Sequence, residues 1–123
     1  VNMDGMGPPG DRGRGWQGNV RAYHTNENHG HGKVLAEVVF RGDRGQTFFD
    51  VSAIKTSPNN NDGIDWMFPN RDHDHTKLCG CNSFPCGNVY ITVADNNKPG
   101  LTKSTWDNEI IVEIRLTTHS ISI

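Results

Sequence analysis

The chain has 123 residues, with 12 Lys+Arg against 14 Asp+Glu and a formal charge of -2. Near-neutrality removes the electrostatic argument for nucleic acid or an anionic membrane as a partner. No run approaches the roughly 18 consecutive apolar residues of a membrane span.

A hydrophobic content of 33% with 14 glycines suits a single domain of modest core, built from short strands and long polar loops. Residues 1–18 form a glycine-rich arm with Trp16 as its strongest anchor. Its Arg12-Gly13-Arg14 step reads as part of a solvated arm. Residues 19–123 form the domain. Val20 to His24 is predicted as a first strand. A turn-rich loop follows over 25–33, carrying His29 and His31. The next stretch is the most informative. Residues 34–41 alternate apolar and polar, a turn with Gly42 and Gly45 follows, and 46–54 is β-rich again. That pattern predicts a β-hairpin, and it sets Glu37 and Asp50 on neighbouring strands.

Ser57 to Gly63 is a loop. Its Asn59-Asn60-Asn61-Asp62-Gly63 run has some calcium-loop character, but Pro58 and Pro69 stand where the first and last ligands belong. Ile64 to Phe68 returns as a short strand. Asn70 to Lys77 is a polar loop with His73 and His75. Cys79, Cys81 and Cys86 follow, then a predicted strand over Val89 to Ala94 and a turn at 95–100. The last predicted strand, 110–117, alternates Ile110, Val112, Ile114 and Leu116 against Ile111, Glu113, Arg115 and Thr117. No helical periodicity is evident. The expected fold is therefore all-β, an antiparallel sandwich.

Three segments carry a resemblance to a known family. One is the Leu35-Ala36-Glu37 strand followed by Phe48-Phe49-Asp50-Val51-Ser52. The second is Cys81-Asn82-Ser83-Phe84-Pro85-Cys86 with a strand after it. The third is Thr105-Trp106-Asp107 leading into the final aliphatic strand. Together they resemble the small thaumatin-like proteins secreted by fungi, over roughly residues 20–117. The resemblance implies a thaumatin-like β-sandwich and an acidic cleft holding Glu37 and Asp50, thirteen positions apart as in the family. It also implies secretion. The chain departs from the family in having few cysteines, in Lys55 where a further cleft acid stands, and in a tail without the terminal cysteine.

Glu37 and Asp50 are the first chemical candidates. Directly opposed strand residues have Cβ atoms about 5 Å apart, so a carboxyl pair for glycoside hydrolysis is geometrically open. The plainer reading is two acids bonded to nearby loops or basic residues. Lys55 is expected to lower the pKa of Asp50 and to work against a general acid. Trp16, Trp66, Phe68 and Trp106 are candidate sugar-stacking aromatics, with Trp66 taken as the binding residue, although most aromatics in so short a chain are core. His73 and His75, with Asp72, offer an N/O ligand set for a divalent metal ion such as Zn²⁺ or Cu²⁺. The plainer reading there is a solvated loop without an ion. For the cysteines, a Cys81–Cys86 disulfide leaving Cys79 unpaired is preferred, with Cys79–Cys86 as the competing pairing.

The resulting expectation is a secreted thaumatin-like defence or host-interaction protein that recognises a cell-wall polysaccharide or a host protein. Glu37, Asp50 and Trp66 are its binding residues. The alternative is a hydrolase, either β-1,3-glucanase-like with Glu37 and Asp50 catalytic, or a metal-assisted nuclease of ribonuclease-toxin type using His73, His75 and Asp72.

Overall fold

Strands β2 (Leu35–Val39) and β3 (Thr47–Ser52) form the expected hairpin, in antiparallel register with Leu35 opposite Ser52 and Val39 opposite Phe48. A computed structural model describes this hairpin within residues 17–24, 34–55, 63–71, 77–81, 86–114 and 119–122. The connecting turn is a short 3-10 segment, Asp43–Gly45. Gly42 N–H donates to Gln46 O at 2.8 Å. Arg41, Arg44 and Gly45 all take positive φ there. The left-handed backbone reverses the chain within the twist of the two strands.

β1 (Gln17–His24) pairs antiparallel with β2 and, at its other edge, with β8 (His119–Ser122). β6 (Lys103–Thr105) pairs antiparallel with β3. The five-stranded sheet therefore runs β6-β3-β2-β1-β8. The second sheet runs β5-β4-β7, from Cys79–Gly80, Ile64–Pro69 and Ile110–Ile114. β1 starts at Gln17, so the last two residues of the expected 1–18 arm are strand. Its first sixteen residues lie outside the described ones.

The two sheets share one core. Alternate residues of the first sheet, Val20, Ala22, Ala36, Val38, Phe49 and Val51, pack with Ile64, Met67, Cys79 and Ile110 of the second. Phe40, Phe49, Ile64, Met67 and Ile110 are completely enclosed. Each such side chain contributes about 1.5–3 kcal/mol through removal from water. Among the described residues the regular structure is strand, with two 3-10 turns. The all-β antiparallel sandwich read from the sequence is what the chain forms. No helix among the described residues is long and apolar enough to cross a membrane.

One expected element differs. The segment Val89–Ala94 is not a regular strand. Tyr90 makes a single parallel bridge to Ser52, and Val93–Asn97 is a 3-10 turn. The cause is Asp95, whose Oδ2 accepts the N–H groups of Ile91 at 2.8 Å and Thr92 at 3.0 Å. Thr92 and Asp95 close a capping box that winds the chain. The final predicted strand is formed over Ile110–Ile114, and its residues 115–117 lie outside the described ones. Its face behaves as expected, with Ile110 buried, Val112 and Ile114 packed on the core and Glu113 exposed.

Gly80 requires its residue type. Its φ is +96°, and a Cβ there would meet Asp65 O at 2.3 Å. The two-residue β5 can approach β4 only as glycine.

Candidate functional site

In β3 Thr47, Phe49 and Val51 are buried on the core side, so the period-two rule turns Asp50 to the opposite face, away from the core. In β2 the same rule turns out Glu37, between buried Ala36 and Val38. Register then places Glu37 directly opposite Asp50. β1 adds Asn19 opposite Glu37, so a polar row crosses three strands.

The other edge of β3 is shared by two segments. β6 covers Thr47 to Phe49. The Tyr90 strip covers Val51 to Ala53, with Tyr90 N–H donating to Val51 O at 3.0 Å and Ala53 N–H to Tyr90 O at 2.7 Å. Asp50 sits at their junction. Thr102, just before β6, donates its hydroxyl to Asp50 Oδ2 at 3.3 Å. Tyr90 Oη lies 2.7 Å from the same Thr102 Oγ1.

Glu37, Asp50 and Tyr90 help line an open hollow of about 340 Å³. Glu37, Asp50, Ser52 and Tyr90 give it polar groups, Leu35 and Ile54 give it apolar walls, and Lys55 and Asn96 stand at its rim. Asp50 Oδ1 is buried and finds no donor. Its carboxyl neighbours that of Glu37, directly opposite on β2. Two carboxylates are both acceptors, so the pair forms a hydrogen bond only when a proton lies between them. Burial is the main force raising the pKa of Asp50, followed by the hydrogen bond and charge of Glu37, against a lowering by Thr102. The result is about 8, from an ordinary value of 3.8. Asp50 is therefore largely a neutral acid at pH 7. This corrects the expectation that Lys55 lowers it. Lys55 lines the hollow, but its side chain is exposed and it is not among the groups that move the Asp50 pKa.

Other expected site residues fall elsewhere. Trp66 is on β4 in the second sheet, partly buried, opposite Gly80 and Glu113, and is not among the residues lining the hollow. His73, His75 and Asp72 lie outside the described residues, as do His29 and His31. Among the described residues no group of three His, Cys, Asp or Glu side chains is placed to hold an ion.

Cys81 and Cys86 form the preferred disulfide, with Cα atoms 6.8 Å apart. Cys79 is a buried free thiol, its Sγ 3.7 Å from both Phe49 O and Leu101 O. Burial pushes its pKa up to about 12. Asp95 moves the other way, down to about 2, held by Lys98 and by the N–H groups of Thr92 and Ile91.

Tyr90, Thr102 and Asn96 were absent from the expected site. Tyr90 was legible only as a strand residue, and no local pattern marks Thr102.

Comparison with known proteins gives one partial likeness. Over 75 residues, 61% of this chain, the sequence is 41% identical to antigenic protein SchS21 of Stachybotrys chartarum, and the match covers 49% of that protein. The chain spans about half the length of the curated relative it matches. No protein-family model and no solved structure matches.

Proposed function

We propose that this chain is a secreted fungal protein of thaumatin-like type that recognises a cell-wall glycan through the Glu37–Asp50 hollow. The carrying observation is the acid pair itself. Asp50 is a neutral carboxyl beside the carboxyl of Glu37, in an open hollow with hydroxyls and apolar walls around it. A neutral acid both donates and accepts hydrogen bonds, as sugar hydroxyls do, while Leu35, Ile54 and the Tyr90 ring offer surface for the apolar face of a sugar. The disulfide and the likeness to a fungal antigenic protein support an extracellular setting.

Titration calorimetry with soluble β-1,3-glucan oligosaccharides tests the reading. Binding that is weakened in both Glu37→Gln and Asp50→Asn is the expected result. Failure of the wild-type protein to bind these or other wall oligosaccharides would reject it and leave a host protein as the partner to seek.

Hydrolysis is the second reading, and one observation favours it. A carboxyl with a pKa near 8 holds a proton at neutral pH, as a general acid must. The geometry weighs against it. The carboxyls of a retaining glycosidase stand about 5–5.5 Å apart and those of an inverting enzyme further. Glu37 and Asp50 are directly opposed on adjacent strands, with Cβ atoms about 5 Å apart, so their carboxyls neighbour each other on one side of the hollow rather than facing across a substrate. Release of reducing ends from β-1,3-glucan, lost in Asp50→Asn, would reinstate the enzyme.

A further inference from the structure

Trp106 is 72% exposed, the more exposed of the two large hydrophobic residues found at the surface among the described residues. Its loop is held firmly. Asp107 Oδ2 accepts the N–H of Arg71, and Asp107 Oδ1 accepts the N–H of Glu109 at 3.0 Å. Asp107 N–H in turn donates to Thr105 Oγ1 at 3.1 Å. Asn70 N–H reaches Glu109 O at 3.0 Å, and the Asn70 side-chain amide donates to the Glu109 carboxylate. An indole on so constrained a loop is exposed by construction. Ordering it on contact with a ligand costs little backbone entropy.

The indole also has a direction. Thr105 is buried and Lys103 partly so, while Thr102 and Trp106 are exposed and Ser104 lies between them in the same alternation. Thr102, Ser104 and Trp106 therefore share the face that carries Asp50, to which Thr102 is bonded. The three residues of β6 separate Thr102 from Trp106, a span of up to about 13 Å. Phe48, opposite Ser104, occupies the ground between. At the far end, Arg71 and Asn108 rim an open depression of about 370 Å³ beside the indole. Gly45, at the hairpin turn, has no side chain to cover it. Even a Cβ there would stay 3.9 Å from Trp106 Cζ3.

We propose that Trp106 is a second sugar platform, and that an oligosaccharide seated in the Glu37–Asp50 hollow runs along β6 over Phe48 and Ser104 to stack on it. The inference rests on the glycan reading above. A pyranose presents a C–H face that suits an aromatic plane and hydroxyls that suit the donors of Arg71 and Asn108. The span from hollow to indole is one that a short oligosaccharide covers and a disaccharide does not.

The test is affinity as a function of length, with β-1,3-linked glucose oligosaccharides from the disaccharide upward. In the wild-type protein affinity rises with length until the chain reaches Trp106. Trp106→Ala abolishes that rise, costing about tenfold for the longest probe, while disaccharide affinity is unchanged. Trp106→Phe restores most of the loss. Dichroism and the denaturation midpoint of both variants stay at wild-type values, since the side chain is mostly in solvent. Asp50→Asn weakens every length. Length-dependent binding that survives in Trp106→Ala, or affinity independent of length, would overturn the platform and leave the hollow as the whole site. Absence of binding at every length would remove the glycan reading and the platform with it.

Discussion

Thr102 and Asp50, far apart in the chain, meet through one hydroxyl that donates to Asp50 Oδ2 at 3.3 Å and lies 2.7 Å from the hydroxyl of Tyr90. Thr102 is the group that lowers the pKa of Asp50 against burial and Glu37. Thr102→Val should therefore raise that pKa further. Carbon-13 titration of the Asp50 carboxyl measures it. An unmoved midpoint would show that the hydroxyl chain does not reach the acid.

Asp50 also sets a pH dependence. Its folded pKa of about 8 lies above the ordinary 3.8, so the native state keeps a proton that the unfolded chain releases. The resulting stabilisation is complete below the ordinary value and is lost as pH rises toward about 8. Stability from this group falls across that window. Asp50→Asn should flatten the fall, and on its alkaline side should be more stable than wild type by on the order of 2 kcal/mol. Urea denaturation at a series of pH values is the check, and a wild-type slope retained in the variant contradicts it.

The disulfide closes a small loop, with a sequence separation of 5. Loop-closure entropy then predicts about 2 kcal/mol, toward the low end for such bonds. The double variant Cys81→Ser, Cys86→Ser should stay folded with its denaturation midpoint lowered to match. Complete loss of the native state would mean that the bond holds the core rather than the loop.

Cys79 should be chemically silent. Its thiol is buried and its pKa is pushed up to about 12, so thiolate is scarce at neutral pH. Alkylation by iodoacetamide should proceed at the rate of unfolding and accelerate in denaturant. Rapid labelling of the native protein would show that the thiol is reachable.

What the sequence disclosed and what it hid follow one division. The β2–β3 hairpin was legible because apolar alternation, turn glycines and strand length all act within twenty residues. The opposition of Glu37 and Asp50 follows from that register alone. Tyr90 and Thr102 were not legible, because their role depends on which segments dock along the free edge of β3. The segment from Val89 to Ala94 has the composition of a strand, but one downstream carboxylate, Asp95, captures its N–H groups and bends it. β5, two residues long with a glycine at its end, carries no periodic signal. Trp66 was one of several candidate aromatics, and alternation within β4 could not reveal that β4 belongs to the other sheet.

The shared edge of β3 has a kinetic consequence. The hairpin brings Glu37 and Asp50 together by a local closure, which is fast. The covering segments, Tyr90 and Thr102–Thr105, arrive only through contacts across roughly forty to sixty residues of chain, and such closures come at greater entropic cost and later. During refolding the two acids would first meet in water as ordinary carboxylates. Proton uptake by Asp50 would mark the later docking of the edge, so a pH indicator in a stopped-flow experiment could time the final assembly of the cleft without any label on the protein.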